Sequence, residues 1–269
     1  MAFFVLPSSI ETVTFLTSEE KAVTAARIAD DMRSQSVERL ELRYVRRAVL
    51  NKNTALLAVA SLCSLTTMNS MALFTPSILR AMGYSGVDSQ LMSVPPYVWA
   101  AAVCVSVTLM SDRTNVRGPW ILGVMPVTVV GFVLLLAAEK TGVRYFALFL
   151  CLTGAFTASP MLVAWCVDNT AGHMTRAVAS AAVVGFGNFG GIVAAWTYVL
   201  PDAPRYVKGH GLNLGVSGLC IVAVAIAILG LYRENKLKRA GRRDYRVSGK
   251  TEREVHDLGH THPEFYFTL

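Results

Sequence analysis

Six apolar stretches, at about residues 54–79, 91–110, 119–138, 143–167, 177–200 and 212–231, occupy most of this chain. At 1.5 Å rise per residue, about 20 helical residues cover a hydrocarbon core of roughly 30 Å, so each stretch is long enough to cross a bilayer. Lipid offers no partner for a backbone N–H or C=O, which makes helices the expected form. A length of 269 residues alone suggests one or two soluble domains. The apolar runs overrule that reading, and 16% charged residues against 53% hydrophobic agrees with them. The expected fold class is an all-α membrane protein with six transmembrane helices. Residues 1–52 precede the bundle, residues 53–231 form it, and residues 232–269 follow as a basic tail.

The net charge of +7 would suit a nucleic-acid partner, but its distribution points elsewhere. Near the span ends, one side collects Arg33, Arg39, Arg43, Arg46, Arg47, Lys52, Arg113, Arg117, Arg176 and the basic run from 233 to 250. The other side holds only Arg80, Lys140, Arg144, Arg205 and Lys208. Positive residues mark the cytoplasmic face. Both termini are therefore expected in the cytoplasm, with the lipid bilayer as partner and no nucleic acid.

The five cysteines, Cys63, Cys104, Cys151, Cys166 and Cys220, fall inside spans without metal-ligand spacing and read as packing residues. No metal or other cofactor is expected. The first seven residues, MAFFVLP, are too short to span and lack signal-peptide features. Thr17 and Glu20 have the spacing of a capping box and predict a helix start. A second short helix is expected over 36–50, with Leu40, Tyr44 and Val45 on one face. The loops between spans hold about four to eleven residues, too few for an extramembrane catalytic domain. The polar tail end is expected to be mobile.

No titratable group is expected deep within any span, so a proton-coupling group is not expected in this chain. The strongest local motif is SDRTNVRG at 111–118. Asp112 there can bond to a neighbouring helix N-terminus, or to Arg113 and Arg117, in one conformation only, as a latch. The bland alternative is topogenic charge with a solvated aspartate. At the next loop on the same side, Asp168, Asn169 and Arg176 can make gate or loop contacts, with Asp168–Arg176 as a candidate pair. His173 reads as a solvated loop histidine. Within the spans, Thr66, Thr67, Asn69 and Ser70 are polar, and Asn188 lies in GFGNFGG at 185–191. The glycines, with small-xxx-small spacing from Gly187 to Gly191, suit close helix packing. Alternatively Asn69, Asn188, Tyr97 and Trp165 line a substrate cavity. Pro95, Pro96, Pro126 and Pro160 are expected to bend or break helices.

FTPSILRAMGYS at 74–85, QLMSVPPY at 90–97 and SDRTNVRG at 111–118 resemble the seventh and eighth helices of fungal major facilitators. The resemblance is to anion:cation symporters of the allantoate permease type. NTAGHMTR at 169–176, GFGNFGG at 185–191, LTSEEKA at 16–22 and HPEFYFTL at 262–269 are similar to other parts of that family, in the same order. It implies proton-linked alternating-access uptake of a small, often anionic organic solute, such as a vitamin or allantoate. It implies that Asp112, Arg113 and Arg117 form the cytoplasmic gating motif. It makes this chain the C-terminal bundle of a twelve-helix fold, with residues 1–52 as the end of a preceding helix plus a cytoplasmic linker. The missing N-terminal six-helix half is then the expected partner, a proton the coupling ion and the plasma membrane the location. The alternative is a non-transporting six-helix membrane protein that regulates or assembles with another carrier. No nucleophile–base set or metal cluster points to an enzyme.

Overall fold

A computed structural model describes residues 17–34, 42–198, 202–251, 255 and 258–269. They divide into two compact units, residues 1–41 and 42–269.

The first unit contributes helix α1, Ser18–Ser34. Its start is the expected capping box. Thr17 N donates to Glu20 Oε2 at 2.9 Å, and Glu20 N donates to Thr17 Oγ1 at 3.4 Å. The Thr17 N bond, with Thr17 Oγ1 donating to the same oxygen at 2.9 Å, also holds the exposed Glu20 carboxyl below its ordinary range.

The regular secondary structure of the second unit is helical among the described residues. Its elements are α2 (Leu42–Val49), α3 (Lys52–Ala81), the short α4 (Gly86–Leu91), α5 (Val94–Thr114), α6 (Gly118–Ala137), α7 (Thr141–Asp168), α8 (His173–Ala195) and α9 (Val207–Arg239). Six segments are long and apolar enough to cross a membrane, with α4 and α5 counting as one. The fold class expected from the sequence is what forms. The second short helix begins later than expected, and Leu40 and the Tyr44 side chain lie outside the described residues. Pro126 and Pro160 sit inside continuous helices, while Pro95 and Pro96 open α5. A first-turn proline loses no hydrogen bond, so the start of α5 is where prolines cost least.

α3 and α7 are the most buried spans. α3 packs on α7, α8 and α9; α6 packs on α7 and α9; α5 packs on α7; α2 packs on α8. The core has two clusters. One, around Leu57, Trp165 and Leu231, lies toward the arginine-rich end. The other, around Met71, Phe132 and Leu148, includes Tyr198 and Tyr206. In lipid there is little hydrophobic drive between helices, so close backbone approach and polar bonds must hold them together. Both are present. A Cβ on Gly190 would stand 2.6 Å from Leu62 O and 2.7 Å from Thr66 N, so α8 meets α3 backbone to side chain-free backbone. Gly187 is packed as tightly on Ser61 and Leu65, whereas Gly191 has ordinary clearance. The tight pair is thus spaced by three residues rather than the four expected. Ser64 Oγ bonds Ser159 Oγ at 2.8 Å across α3 and α7, and Thr67 Oγ1 bonds Ser217 Oγ at 3.3 Å across α3 and α9. Thr67 is therefore a packing contact.

Two expectations fail here. The sixth span was expected to begin at 212, but α9 starts at Val207 and carries His210 inside the bundle, fully buried. His210 Nδ1 pairs with Tyr198 Oη at 3.0 Å, and Asn213 Nδ2 donates to the same oxygen at 3.3 Å. The early start comes from Asp202, whose Oδ2 accepts from Lys208 N at 2.8 Å and so caps the helix ahead of the apolar run. The segment after α9 is also not a free tail. Phe267 and Leu269 pack against the core, and buried side chains take up the main-chain groups around them.

Candidate functional site

At the arginine-rich end, the loop between α5 and α6 is only three residues long. Its turn is set by Asn115, which caps α5 at φ 52°, a left-handed conformation that asparagine tolerates better than most residues. Ser111 Oγ donates to Val116 O at 2.8 Å and fixes the next residue. Gly118 then starts α6 directly beneath Ile228 and Trp165, where a Cβ would stand 2.7 Å from Ile228 Cγ1.

This turn aims Arg117 between two carboxylates. Its Nη1 is 2.9 Å from Asp112 Oδ1, and its Nε donates to Asp168 Oδ2. The guanidinium thus ties the end of α5 to the end of α7. Its side chain is 17% exposed, against 49% for Asp112 and 34% for Asp168. Burial on its own would lower the Arg117 pKa, but bonding and attraction from Asp168, then Asp112, raise it above its ordinary value. The cation is permanent, so the clasp responds to geometry and to its acids rather than to loss of the arginine proton.

The three residues expected in the motif part company. Arg113 is exposed and makes no ion pair among the described residues. Asp168 bonds to Arg117, not to Arg176; Arg176 Nε instead donates to Thr170 O at 3.0 Å. The pairing expected within one loop is replaced by one between loops, because Arg117 presents two donor edges to two acids. Arg176 still borders the polar cleft of about 320 Å³ beside Asp112, Arg117 and Asp168. The His173 side chain lies outside the described residues.

Asn169 is buried and bonds the last segment of the sequence. Its Nδ2 donates to Thr268 O at 2.9 Å, and its Oδ1 accepts from Thr268 N at 2.8 Å. Trp165, expected on a cavity wall, lies fully buried in the core and donates from Nε1 to Thr268 O at 2.8 Å. A side chain with no exposed surface cannot line a cavity, so the structure places Trp165 under the clasp instead. Of the remaining cavity candidates, Tyr97 Oη donates to Met71 O at 3.0 Å, and Asn69 lies 3.6 Å from the Cβ position of Gly191. Asn188 is exposed one turn before Gly191. Tyr97 and Asn69 thus sit at helix contacts with α3 and α8 respectively, and Asn188 faces outward.

Sequence reasoning missed the residues that hold the last segment: Arg47, Asn235, Lys238 and His260. The usable signal was the alternation of Phe265, Phe267 and Leu269 with Glu264 and Tyr266, a period-two pattern that marks an extended strand with one apolar face. His260 is buried against Arg47, Lys238 and Arg246, and burial first, then these cations, push its pKa down to about 4 from an ordinary 6.5. The folded chain therefore holds it neutral, while the unfolded chain protonates it below about pH 6.5. Stability from this group is complete above pH 6.5 and falls as pH drops toward 4, by about 3 kcal/mol over the whole range. Melting curves of the wild type and His260→Gln between pH 7 and 4.5 should converge at acid pH; parallel pH dependences would contradict this.

Six membrane-length helices with a charged clasp at one end define an integral membrane helical bundle. Residues 1–195 match the Major Facilitator Superfamily. The chain is 31% identical over 237 residues to the high-affinity nicotinic acid transporter of Saccharomyces cerevisiae, covering 88% of this chain and 44% of that protein. It is 32% identical to an uncharacterized transporter of Schizosaccharomyces pombe, over 87% of this chain and 47% of the relative. It is 28% identical to the major facilitator-type transporter hxnP of Emericella nidulans, over 100% of this chain and 55% of the relative. No solved structure matches. The chain belongs to the Major Facilitator Superfamily, and it spans about half the length of the curated relatives it matches.

Proposed function

We propose that this chain is the C-terminal half of a transmembrane carrier that moves a small organic, anionic solute by proton-linked alternating access. The observation that carries the reading is the Arg117 clasp, which joins the ends of α5 and α7 through Asp112 and Asp168 in a family whose named relatives are transporters. Residues 1–52 then act as a linker, residues 53–231 as the bundle and residues 232–269 as a basic segment on the same face. That face is cytoplasmic by its excess of arginine and lysine, and the membrane is the plasma membrane. The solute sits between this bundle and an N-terminal six-helix half, near the midplane, against Asn69, Asn188 and Tyr97.

The nicotinic acid relative supports a small carboxylate as solute, and the anion:cation symporter resemblance supports a proton as the coupling ion. His210 adds a buried titratable group within a span. The test is uptake by a carrier with both halves present, using a panel of radiolabelled small carboxylates with nicotinate among them. Saturable uptake stimulated by an inward proton gradient is expected for at least one. Enzymatic turnover of the same panel without translocation would count against the proposal.

A further inference from the structure

Residues 265–269 lie extended across the ends of α7 and α9, held through their main chain. Asn235 Nδ2 donates to Phe267 O at 2.8 Å, and its Oδ1 accepts from Phe267 N at 2.9 Å. Asn169 makes the same pair of bonds to Thr268. Successive residues of an extended chain turn their main-chain groups to opposite sides. One asparagine on α9 therefore takes one side of the strand, and one at the end of α7 takes the other. Lys238 Nζ donates to Phe265 O at 2.7 Å, and Arg117 N donates to Leu269 O at 2.6 Å.

Both carboxamides are buried, 1% exposed for Asn169 and 8% for Asn235. A buried amide without partners is costly, and removing the strand would orphan Oδ1 on each. The slot is thus shaped for a main chain rather than for a particular side-chain sequence; selectivity enters only through Phe267 and Leu269 on the core. The strand also touches the clasp directly, because Arg117 N is bonded to it while the Arg117 side chain holds the two acids.

We propose that this slot is a strand-binding site, that residues 265–269 are its tethered and displaceable occupant, and that the seated strand positions Arg117 for its carboxylates. Its consequence for gating rests on the carrier reading; the seating does not. Emptying the slot frees the Arg117 amide and loosens the α5–α6 turn, while the bundle below stays folded.

Hydrogen exchange of the full chain in lipid nanodiscs tests this without any solute. In the wild type, the amides of Arg117, Phe267 and Thr268 should be protected. In Asn169→Ala/Asn235→Ala all three should exchange at least about 10-fold faster, with Ile121, whose amide bonds Arg117 O, unchanged. A second variant ends before Phe265 and keeps both asparagines. There the Arg117 amide should again be fast, and an added peptide of sequence HPEFYFTL should restore its protection in a saturable way. The same peptide N-methylated at its threonine should not. Unprotected Phe267 and Thr268 amides in the wild type would overturn the proposal. So would a slow Arg117 amide after strand removal, no rescue by millimolar peptide, or equal rescue by the methylated one. If Ile121 also becomes fast in the double variant, the truncated variant and its rescue decide. Failed uptake with intact rescue would count against the carrier reading alone.

Discussion

Replacing Arg117 with alanine should reduce uptake by the complete carrier by about 30-fold or more, with the protein still in the membrane at its normal level. Two charge-assisted bonds are lost, each about 1.5–3 kcal/mol when desolvated. Asp112 and Asp168 are half and one-third exposed, so screening brings the pair down to about 2 kcal/mol, a shift of about 30-fold in a conformational equilibrium. Lysine at 117 keeps the charge but lacks the forked planar donor that meets two acids at once, and should recover only part of the rate. Arg113→Ala should stay within about two-fold, because Arg113 makes no ion pair among the described residues. Initial-rate uptake checked against surface expression makes the comparison. Equal losses for Arg113→Ala and Arg117→Ala would show that charge at this loop matters and the clasp does not.

The second large effect lies in packing. Gly154 and Gly190 stand where neighbouring backbone leaves no room. A Cβ at 154 would stand 2.5 Å from Val124 O and closer still to Thr128 Oγ1, and one at 190 would stand 2.6 Å from Leu62 O. A flexible side chain could move aside, but a helix carbonyl cannot move without its helix. Gly154→Ala and Gly190→Ala should each destabilise the bundle by about 3 kcal/mol through overpacking and helix separation. Gly185→Ala is the internal comparison: its Cβ meets open space, and the better helix propensity of alanine should stabilise by up to about 1 kcal/mol. Fluorescence-detected size exclusion after heating in detergent reads all three. Indistinguishable melting of the three variants would mean that close approach at 154 and 190 contributes nothing.

Most of the helical framework was legible because lipid leaves the backbone one simple solution, and the apolar runs mark where it applies. The ends were less legible. α9 begins five residues before its apolar run because Asp202 caps it, and His210 is thereby drawn inside. The site was half legible. Asp112 and Arg117 stand in one short motif, and their pairing is local. Asp168 lies 51 residues from Arg117, and nothing in the spacing favours Arg117 over the nearer Arg176. The seated strand was hidden for a different reason. Asparagine contacts to main chain leave no side-chain complementarity to recognise, and the basic residues before the strand imitate a solvated tail.

As one half of a carrier, this chain is expected to work only against another half. Liposomes holding this chain alone, or co-reconstituted with an N-terminal six-helix half of the same family, test it under an inward proton gradient. Saturable carboxylate uptake is expected with both halves and none with this chain alone. Saturable, proton-dependent uptake by the 269-residue chain alone would contradict it.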